Sequence, residues 1–173
     1  MNTLIKVIET PRLILREFGL KDAHKMWELN ADPEVIQYTG NQSFESVDAA
    51  KVFLRNYTHY CERGYGRWAV VSKAKGEFIG WCGLKWNEDN FVDIGFRFFR
   101  HEWNKGFATE AAKACLEYGL FDLKIKEIIG RSSIENKASI RVLEKIGMCF
   151  WKEEHCEGIG PAVYYRIGDY SNK

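Results

Sequence analysis

The sequence predicts an α/β fold: a single domain, spanning residues 1–173, in which a mixed and mostly antiparallel sheet carries helices on both faces. Three consecutive strand patterns at residues 66–99 are separated only by short segments rich in turn residues, which is typical of an antiparallel meander. A strand–helix–strand succession follows, and such a connection places two parallel strands in one sheet. The length of 173 residues fits one domain.

The first half of the chain is predicted to contain one strand and two helices. Residues 12–18, RLILREF, alternate polar and apolar side chains and therefore favour a strand. Residues 21–30 favour a helix that ends before Asp32-Pro33, because the residue before a proline avoids the helical conformation. Residues 47–63 favour a second helix, since their apolar side chains recur at three-to-four spacing. Gly64 follows as a natural stop.

The second half supplies the rest of the sheet and two more helices. The meander consists of GRWAVVS, EFIGWCGLKW and FVDIGFRFF, separated by KAKG and NEDN. The next helix, within residues 103–120, has the apolar spacing of a helix that lies on a sheet. EIIGRSS predicts another strand, and NKASIRVLEKIG predicts a short helix ended by Gly147. CFWKEEH and AVYYRIGDY, which ends at Tyr170, predict a closing hairpin.

Composition argues against several classes of partner and site. Twenty-five basic and 24 acidic residues give a formal net charge of +1, which indicates neither nucleic acid nor an anionic membrane as a partner. No apolar run approaches the roughly 18–20 residues that cross a bilayer, and the N-terminal segment lacks the pattern of a secretory signal. The five cysteines form no C-x-x-C pair and the four histidines show no ligand spacing. We therefore expect reduced thiols, a cytoplasmic location and no metal site.

The start of the helix after the meander is the first candidate site. No Ser, Asp or Asn immediately precedes its first apolar residue, so its free N–H groups and dipole are available to an anion such as phosphate. Gly106 permits close approach of a ligand to the backbone, and Ala108 extends that clearance. Lys105 adds a cation and Thr109 a hydroxyl. Alternatively, water or an upstream oxygen, for example from Asn104, satisfies these amides.

Two longer segments, IGFRFFRHEWNKGFATEAA and IENKASIRVLEKIG, resemble signatures of the GNAT superfamily of acetyl-CoA-dependent N-acetyltransferases. FIGWCGL resembles the third strand of that family. The opening ETPRLILREF resembles one branch of it, the Rim-type branch, which includes enzymes that acetylate the N-terminal amines of ribosomal proteins. The resemblance covers essentially the whole chain and matches the predicted order of elements. It implies a GNAT-like domain with a sheet splayed open at its centre, and acetyl-CoA as co-substrate.

The resemblance also implies which residues bind the cofactor. The superfamily's pyrophosphate loop, [QR]-x-x-G-x-[GA], matches Trp103, Asn104, Lys105, Gly106, Phe107 and Ala108. Members of this branch often have Trp first and usually have Gly second. Here Asn104 replaces that glycine, and asparagine tolerates a left-handed backbone. Thr109 adds its hydroxyl. Backbone groups near Phe96 and Phe98 would bind the pantetheine amides, in a gap between their strand and EIIGRSS.

The second signature, N-x-x-S, places Asn136 and Ser139 at the start of the last helix. Asn136 either caps its own helix or contacts the cofactor, and the two roles are compatible. Ser139 shares a helix face with apolar residues such as Val142 and Ile146, so its hydroxyl needs a polar partner. That partner is either the carbonyl one turn back or, as the resemblance implies, the sulfur of CoA, whose departing thiolate Ser139 would help to protonate.

The implied reaction is direct attack of a neutral amine on the thioester carbonyl. An amine is mostly protonated at pH 7, so a base or a water chain must take its proton. Asp93 is a candidate base acting through water, because many family members carry an acid, usually Glu, in this strand. The alternative is that Asp93 forms an ion pair with an arginine such as Arg97 on the same strand face.

The acceptor is not identified by any motif. The branch resemblance favours a protein N-terminal amine, and a small-molecule amine is the close rival. The loops that would hold the acceptor, around residues 40–46 and 158–161, carry no signature. A non-catalytic acyl-CoA-binding module and a pure interaction domain are rivals from other classes, and Ser139 argues against the first of them. The protein is expected to be a monomer or a homodimer.

Overall fold

The computed structural model describes residues 5–87 and 89–168. Within them, eight strands form one sheet with the spatial order β1-β2-β3-β4-β5-β6-β8-β7. Their bounds are β1 Lys6–Glu9, β2 Leu13–Arg16, β3 Arg67–Ser72, β4 Glu77–Trp86, β5 Val92–Phe98, β6 Glu127–Ser133, β7 Cys149–Cys156 and β8 Gly160–Gly168. Residues 169 and 170, which the sequence assigned to the last strand, lie outside the described residues, as do both ends of the predicted domain.

Helices cover both faces of this sheet, as predicted. Their bounds are α1 Ala23–Ala31, α2 Pro33–Ile36, α3 Val47–Arg55, α4 His59–Arg63, α5 Phe107–Glu117 and α6 Lys137–Lys145. Helices α5 and α6 pack on one face, called the first face here, over a core that includes Trp68 and Val70 of β3. Helices α1 to α3 pack on the second face, over a core that includes Ala69 of β3. The two cores separate because successive side chains of a strand point to opposite faces.

The strands β5 and β6 form the one parallel pair among the described strands, and they separate after a short contact. They pair from Val92 with Ile128 to Ile94 with Gly130. Beyond that point β5 continues to Phe98, and β6 continues along β8, without pairing with each other. The sheet therefore opens into a gap between the second halves of β5 and β6, called the fork below. The splayed sheet that the resemblance implied is confirmed.

Three local predictions need correction. The strand β1 precedes the predicted first strand and pairs with it, and the sequence analysis did not include it. The helix predicted over residues 47–63 is divided into α3 and α4. The division has a tertiary cause: the hydroxyls of Tyr57 and Tyr60 bind the backbone N–H and carbonyl of Arg67, which draws the chain toward β3. The helix within residues 103–120 begins at Phe107, and after Glu117 it continues as a π-helical turn, Tyr118–Asp122.

No described helix combines the length and the apolar character that crossing a membrane requires.

Candidate active site

The loop before α5 leaves the first amides of that helix without an acceptor. Gly106 precedes the helix with a φ of +81°, and Asn104 also has a left-handed backbone, with a φ of +61°. No side chain caps the helix, so the prediction of an uncapped start is confirmed and Asn104 does not supply the alternative oxygen. Among the described residues, none accepts a hydrogen bond from the amides of Phe107, Ala108 or Thr109. The loop therefore presents free donors at the positive end of the helix dipole.

The ammonium of Lys105 is bound to an acid next to this loop. It lies 2.9 Å from the carboxylate of Glu102, and Lys75 pairs with the same carboxylate. Burial alone would raise the pKa of Glu102, but the hydrogen bonds from the two lysines outweigh burial and lower it. Lys105 thus neutralises a buried acid, and it is not the free cation that the sequence led us to expect.

A second cation, Arg12, lies directly against the loop. Its guanidinium lies 4.5 Å from the centroid of the Phe107 ring and donates to the carbonyl of Lys105 at 3.0 Å. Its Nε donates to Glu110, in the first turn of α5, at 2.6 Å. A Cβ added to Gly106 would stand 3.3 Å from Nη2 of Arg12. Arg12 therefore braces both the loop and the helix start.

Backbone groups of β5 face the fork. The amide of Phe99 donates to Ile79 of β4 at 3.2 Å. Successive amides of an extended strand point to opposite edges, which directs those of Phe98 and Phe96 away from β4 and toward the fork. The carbonyl of Phe98 already accepts the indole N–H of Trp103 at 2.9 Å. Trp103 therefore holds the loop against β5, while Phe96 has no strand partner on the fork side.

The start of α6 separates the two interpretations of Ser139. Asn136 accepts a hydrogen bond from the amide of Ser139 at 3.1 Å, so its role as helix cap is confirmed. The hydroxyl of Ser139 is half-buried and makes no hydrogen bond to any described residue. The carbonyl one turn back is thus not its partner, and that interpretation is wrong. Contact of Ser139 and Asn136 with the cofactor stays a prediction.

On the second face, two arginines hold Asp93 at the base of the fork. Arg67 of β3 binds one carboxylate oxygen and also donates to the backbone carbonyl of Asp93 at 3.0 Å. Arg131 of β6 lies 3.3 Å from the other oxygen. Asp93 itself is buried. The predicted ion pair with an arginine is confirmed, but Arg97 as its partner was wrong, because side chains from β3 and β6 reach the carboxylate instead.

Arg97 lies four residues further along the same face of β5. Its guanidinium donates to the amide oxygens of Asn30 and, at 2.9 Å, of Asn41. Its Nε has no hydrogen-bond partner, and no described carboxylate pairs with it. Burial, with a contribution from Arg67, lowers the pKa of Arg97 to about 10, so the side chain remains charged at pH 7.

A cavity of about 1130 Å³ opens on the second face beyond Arg131. Tyr164 of β8 forms part of its wall, and burial, followed by a hydrogen bond to Cys156, raises the pKa of Tyr164 to about 12. His59 of α4 also lines the cavity, and burial, followed by the charge of Lys85, lowers its pKa. Both side chains are therefore neutral at pH 7. Aromatic rings supply a further part of the wall: Trp86, Phe91 and Trp151.

The two loops expected to hold the acceptor touch each other. A Cβ added to Gly40 would stand 2.4 Å from the carbonyl oxygen of Gly158, in the turn between β7 and β8. Both glycines have a positive φ, +66° and +78°, so the contact depends on residues without a side chain. Asn41, next to this contact, binds Arg97 of the second face. The loops are thus brought together on the second face of the sheet, beside Arg97.

Arg12, Arg67 and Arg131 are residues of this site that the sequence analysis did not identify. Arg12 belongs to the ETPRLILREF segment, but nothing local shows that it reaches a helix almost a hundred residues away. A signal did exist on β5, where Asp93 and Arg97 point to a sheet face that helices were predicted to cover. Charged side chains on such a face require partners from other elements.

Comparison with known proteins identifies relatives over most of the chain. Residues 12–149 match the family described as Acetyltransferase (GNAT) domain. The chain is 35% identical to the uncharacterized protein YkkB of Bacillus subtilis over 172 residues, covering 96% of this chain and 98% of that protein. It is 34% identical to the uncharacterized N-acetyltransferase YnaD of the same organism, covering 82% and 81% of the two chains.

A similar solved structure is that of a GNAT-family acetyltransferase from Bacillus anthracis. It is 29% identical to this chain, covers 93% of it and 97% of the solved chain, and superimposes with a TM-score of 0.80. The similarity therefore covers most of both chains.

Proposed function

The chain belongs to the GNAT family of acetyl-CoA-dependent N-acetyltransferases, and we propose that the fork is where it brings acetyl-CoA and a primary amine together. The observation that carries the proposal is the end of pairing at Ile94 and Gly130, directly beside an uncapped helix start. A thioester arm can lie between two separated strands only where their facing backbone groups are unpaired. Here that gap and the free amides of α5 are connected by one short loop.

In this proposal the pyrophosphate lies on the amides of Gly106, Phe107, Ala108 and Thr109. Free helix N-terminal amides bind phosphate well, and Gly106 allows close approach. Asn104 shapes the loop through its left-handed backbone, and Trp103 holds the loop through its bond to Phe98. Arg12 adds the positive charge that we first assigned to Lys105. The pantetheine arm runs along β5, where the backbone of Phe96 faces the fork, and Asn136 borders the arm at the start of α6.

The chemical step needs three groups at the thioester. The amine nitrogen bonds to the carbonyl carbon, the C–S bond breaks, and the proton lost by the amine is balanced by one gained by the thiolate. A backbone N–H of β5 polarises the carbonyl oxygen. Ser139 gives its proton to the sulfur and regains one from water, which fits a hydroxyl without any described partner. Asp93 takes the proton of the amine through water, on the oxygen that Arg131 approaches at 3.3 Å, and returns it to solvent before the next turnover.

Two acceptor classes have separate support. The Rim-type resemblance of ETPRLILREF favours a protein N-terminal amine. The cavity of about 1130 Å³ is large enough to take the first residues of a peptide. A small-molecule amine is the second candidate, and a carboxylate on such a molecule would find in Arg97 a buried guanidinium that no described acid pairs with.

The test is thiol release from acetyl-CoA with a panel of primary amines, combined with a calorimetric titration of acetyl-CoA alone. The panel contains short peptides with a free N-terminus, single amino acids, polyamines and amino sugars. We expect micromolar-range binding of acetyl-CoA and thiol release that depends on one of these classes. Binding without thiol release from any amine would indicate a non-catalytic acyl-CoA-binding module. Absence of binding would remove the proposed cofactor site.

A further inference from the structure

Arg97 is a buried cation that has no counter-ion in the part of the chain that the structure describes. Only 8% of the residue is exposed, and the partners of its guanidinium are two neutral amides, from Asn30 and Asn41. A buried charge is normally paired with an opposite charge, because an uncharged acceptor replaces the lost hydration only in part. Arg16 shows the usual solution within this chain, since both of its terminal nitrogens lie 2.7 Å from the oxygens of Asp22.

The positive charge around Arg97 is in excess locally as well. Arg67 and Arg131 share a single buried carboxylate, that of Asp93. Another described acid near Arg131 is Asp89, at 3.6 Å, and its side chain is 66% exposed. Among the described residues, three guanidiniums therefore lie on the second face of the fork with one buried carboxylate between them. This arrangement is the opposite of what a cationic polyamine would need from its site.

Arg97 lies next to an exposed residue of one of the two loops that were expected to hold the acceptor. It lies on β5 beyond Ile94, where the strand borders the fork. One of its two acceptors, Asn41, is an exposed residue of the loop that meets Gly158. An arriving carboxylate would replace the amide oxygen of Asn41 with a charged acceptor, and charge-assisted hydrogen bonds are about twice as strong as neutral ones.

We propose that the acceptor carries a carboxylate close to its amine, and that Arg97 binds this carboxylate. The proposal rests on the proposed function, because it concerns the second substrate at the same fork. Two kinds of acceptor carry a carboxylate close to an amine: a free amino acid, and a peptide N-terminus with an adjacent acidic side chain. The same cations would also lower the pKa of the bound amine, since a nearby like charge disfavours the protonated form. More of the amine would then be neutral and ready to attack.

The first experiment measures thiol release from acetyl-CoA with matched pairs of amines. Each free amino acid is compared with its amide, and each short peptide that begins with an acidic residue is compared with the peptide in which Asn or Gln replaces it. We expect kcat/KM to be at least about tenfold higher for the carboxylate member, which corresponds to about 1.4 kcal/mol. A preference for the free amino acid over its amide identifies the first source. A preference for the acidic peptide over its neutral counterpart identifies the second. Equal rates within all pairs, or a preference for the neutral members, would overturn the proposal.

The second experiment supplies the missing carboxylate from the protein. Asn41→Asp places an acid where Arg97 now meets a neutral amide, and it avoids Arg97 variants that could fail to fold. We expect the melting temperature to rise by about 3 °C or more, because a change of 1 kcal/mol shifts a protein of this size by about 2–4 °C. We also expect kcat/KM for the carboxylate amine to fall at least about tenfold while acetyl-CoA binds as before. The matched control, Asn56→Asp, adds the same charge at the exposed end of α3.

The two readouts fail independently. If no amine releases thiol, the proposed function fails, while the melting temperature of Asn41→Asp still tests whether Arg97 accepts a carboxylate. If thiol is released but Asn41→Asp neither raises the melting temperature nor reduces turnover relative to Asn56→Asp, the proposed function survives. In that case Arg97 is only a structural link between β5 and the acceptor loop, and the proposal is refuted.

Discussion

The two sides of the fork are built differently: the proposed cofactor side, which is the loop before α5, and the proposed acceptor side, which is the second face around Asp93 and Arg97. On the cofactor side each described cation near the loop meets an acid: Arg12 pairs with Glu110, and Lys105 pairs with Glu102. The free groups on this side are backbone amides. On the acceptor side the described cations outnumber the buried acids. Arg67 and Arg131 share the carboxylate of Asp93, and Arg97 meets no described carboxylate. The free groups on this side are side chains.

This difference relates to what each side has to recognise. Backbone amides bind a phosphate whatever the neighbouring side chains are, provided that the turn has the correct shape. A side with unbalanced charge depends on the arrangement of particular side chains and selects among ligands by their charge. The cofactor side should therefore respond to changes of backbone geometry, and the acceptor side to changes of charge.

The largest effect should come from removing the acid on the acceptor side. Asp93→Asn leaves Arg67 and Arg131 without their shared buried carboxylate, and breaking a buried ion pair costs about 3–5 kcal/mol. We expect urea unfolding to show a loss of that size. Asp89→Asn is the matched control, because its exposed contact with Arg131 should contribute about 0–1 kcal/mol. Similarly small losses of unfolding free energy in both variants would mean that the buried carboxylate of Asp93 contributes no more than an exposed one. That result would contradict the difference described between the two sides.

Ser139→Ala should lower kcat by roughly 10- to 100-fold, within or below the usual range for proton transfer from a positioned acid. The interaction of the Ser139 hydroxyl with sulfur should strengthen as negative charge develops in the transition state, so the dissociation constant for acetyl-CoA should change little. Stability should also change little, since the hydroxyl has no described partner. Ser46→Ala is the contrasting control for stability: Ser46 caps α3, so this variant should lose about 1 kcal/mol of stability. Normal turnover in Ser139→Ala would turn attention to Tyr164 of the acceptor side and to Tyr165, although the hydroxyl of Tyr165 binds Glu144.

Gly106→Val should weaken acetyl-CoA binding by at least about tenfold, or about 1.4 kcal/mol, as measured by calorimetry. A branched side chain disfavours the φ of +81° and occupies space beside Arg12. Gly64→Val is the matched control, because Gly64 has a φ of +75° at the end of α4, and a Cβ added there would meet no atom of another part of the chain within 4 Å. Both variants should lose stability through backbone strain, but only Gly106→Val should lose affinity. Unchanged affinity in a folded Gly106→Val protein would exclude the phosphate site.

The smallest effect is expected from Lys105→Ala. Its ammonium is half-exposed and already bound to Glu102, so its contact with the cofactor should contribute little, and we expect a loss of acetyl-CoA affinity of about threefold or less. CoA and dephospho-CoA should weaken alike unless Lys105 leaves Glu102 to meet the 3′-phosphate. Lys75→Ala removes the other lysine of Glu102 and should leave both affinities unchanged. A loss greater than tenfold in Lys105→Ala alone would show that a side-chain charge dominates the cofactor side.

The cofactor side could be predicted from sequence to a large extent. The shape of its loop depends on the backbone preferences of Gly106 and Asn104, and both residues have the left-handed conformation that their types tolerate. The uncapped start of α5 and the cap by Asn136 follow likewise from residues within a few positions of each other. Such local preferences act in any chain that contains the segment.

The sequence by itself thus determined the order of strands and helices from β3 to β8, the crossover between β5 and β6, and the loop before α5, because these depend on periodicity and on neighbouring residues. Only the tertiary structure decided the division of α3 from α4 and the partners of the charged side chains. Arg67 meets Asp93 across 26 positions, and Arg97 meets Asn30 across 67. The free energy of such contacts depends on burial and on the simultaneous arrangement of several elements, and no local pattern encodes that arrangement.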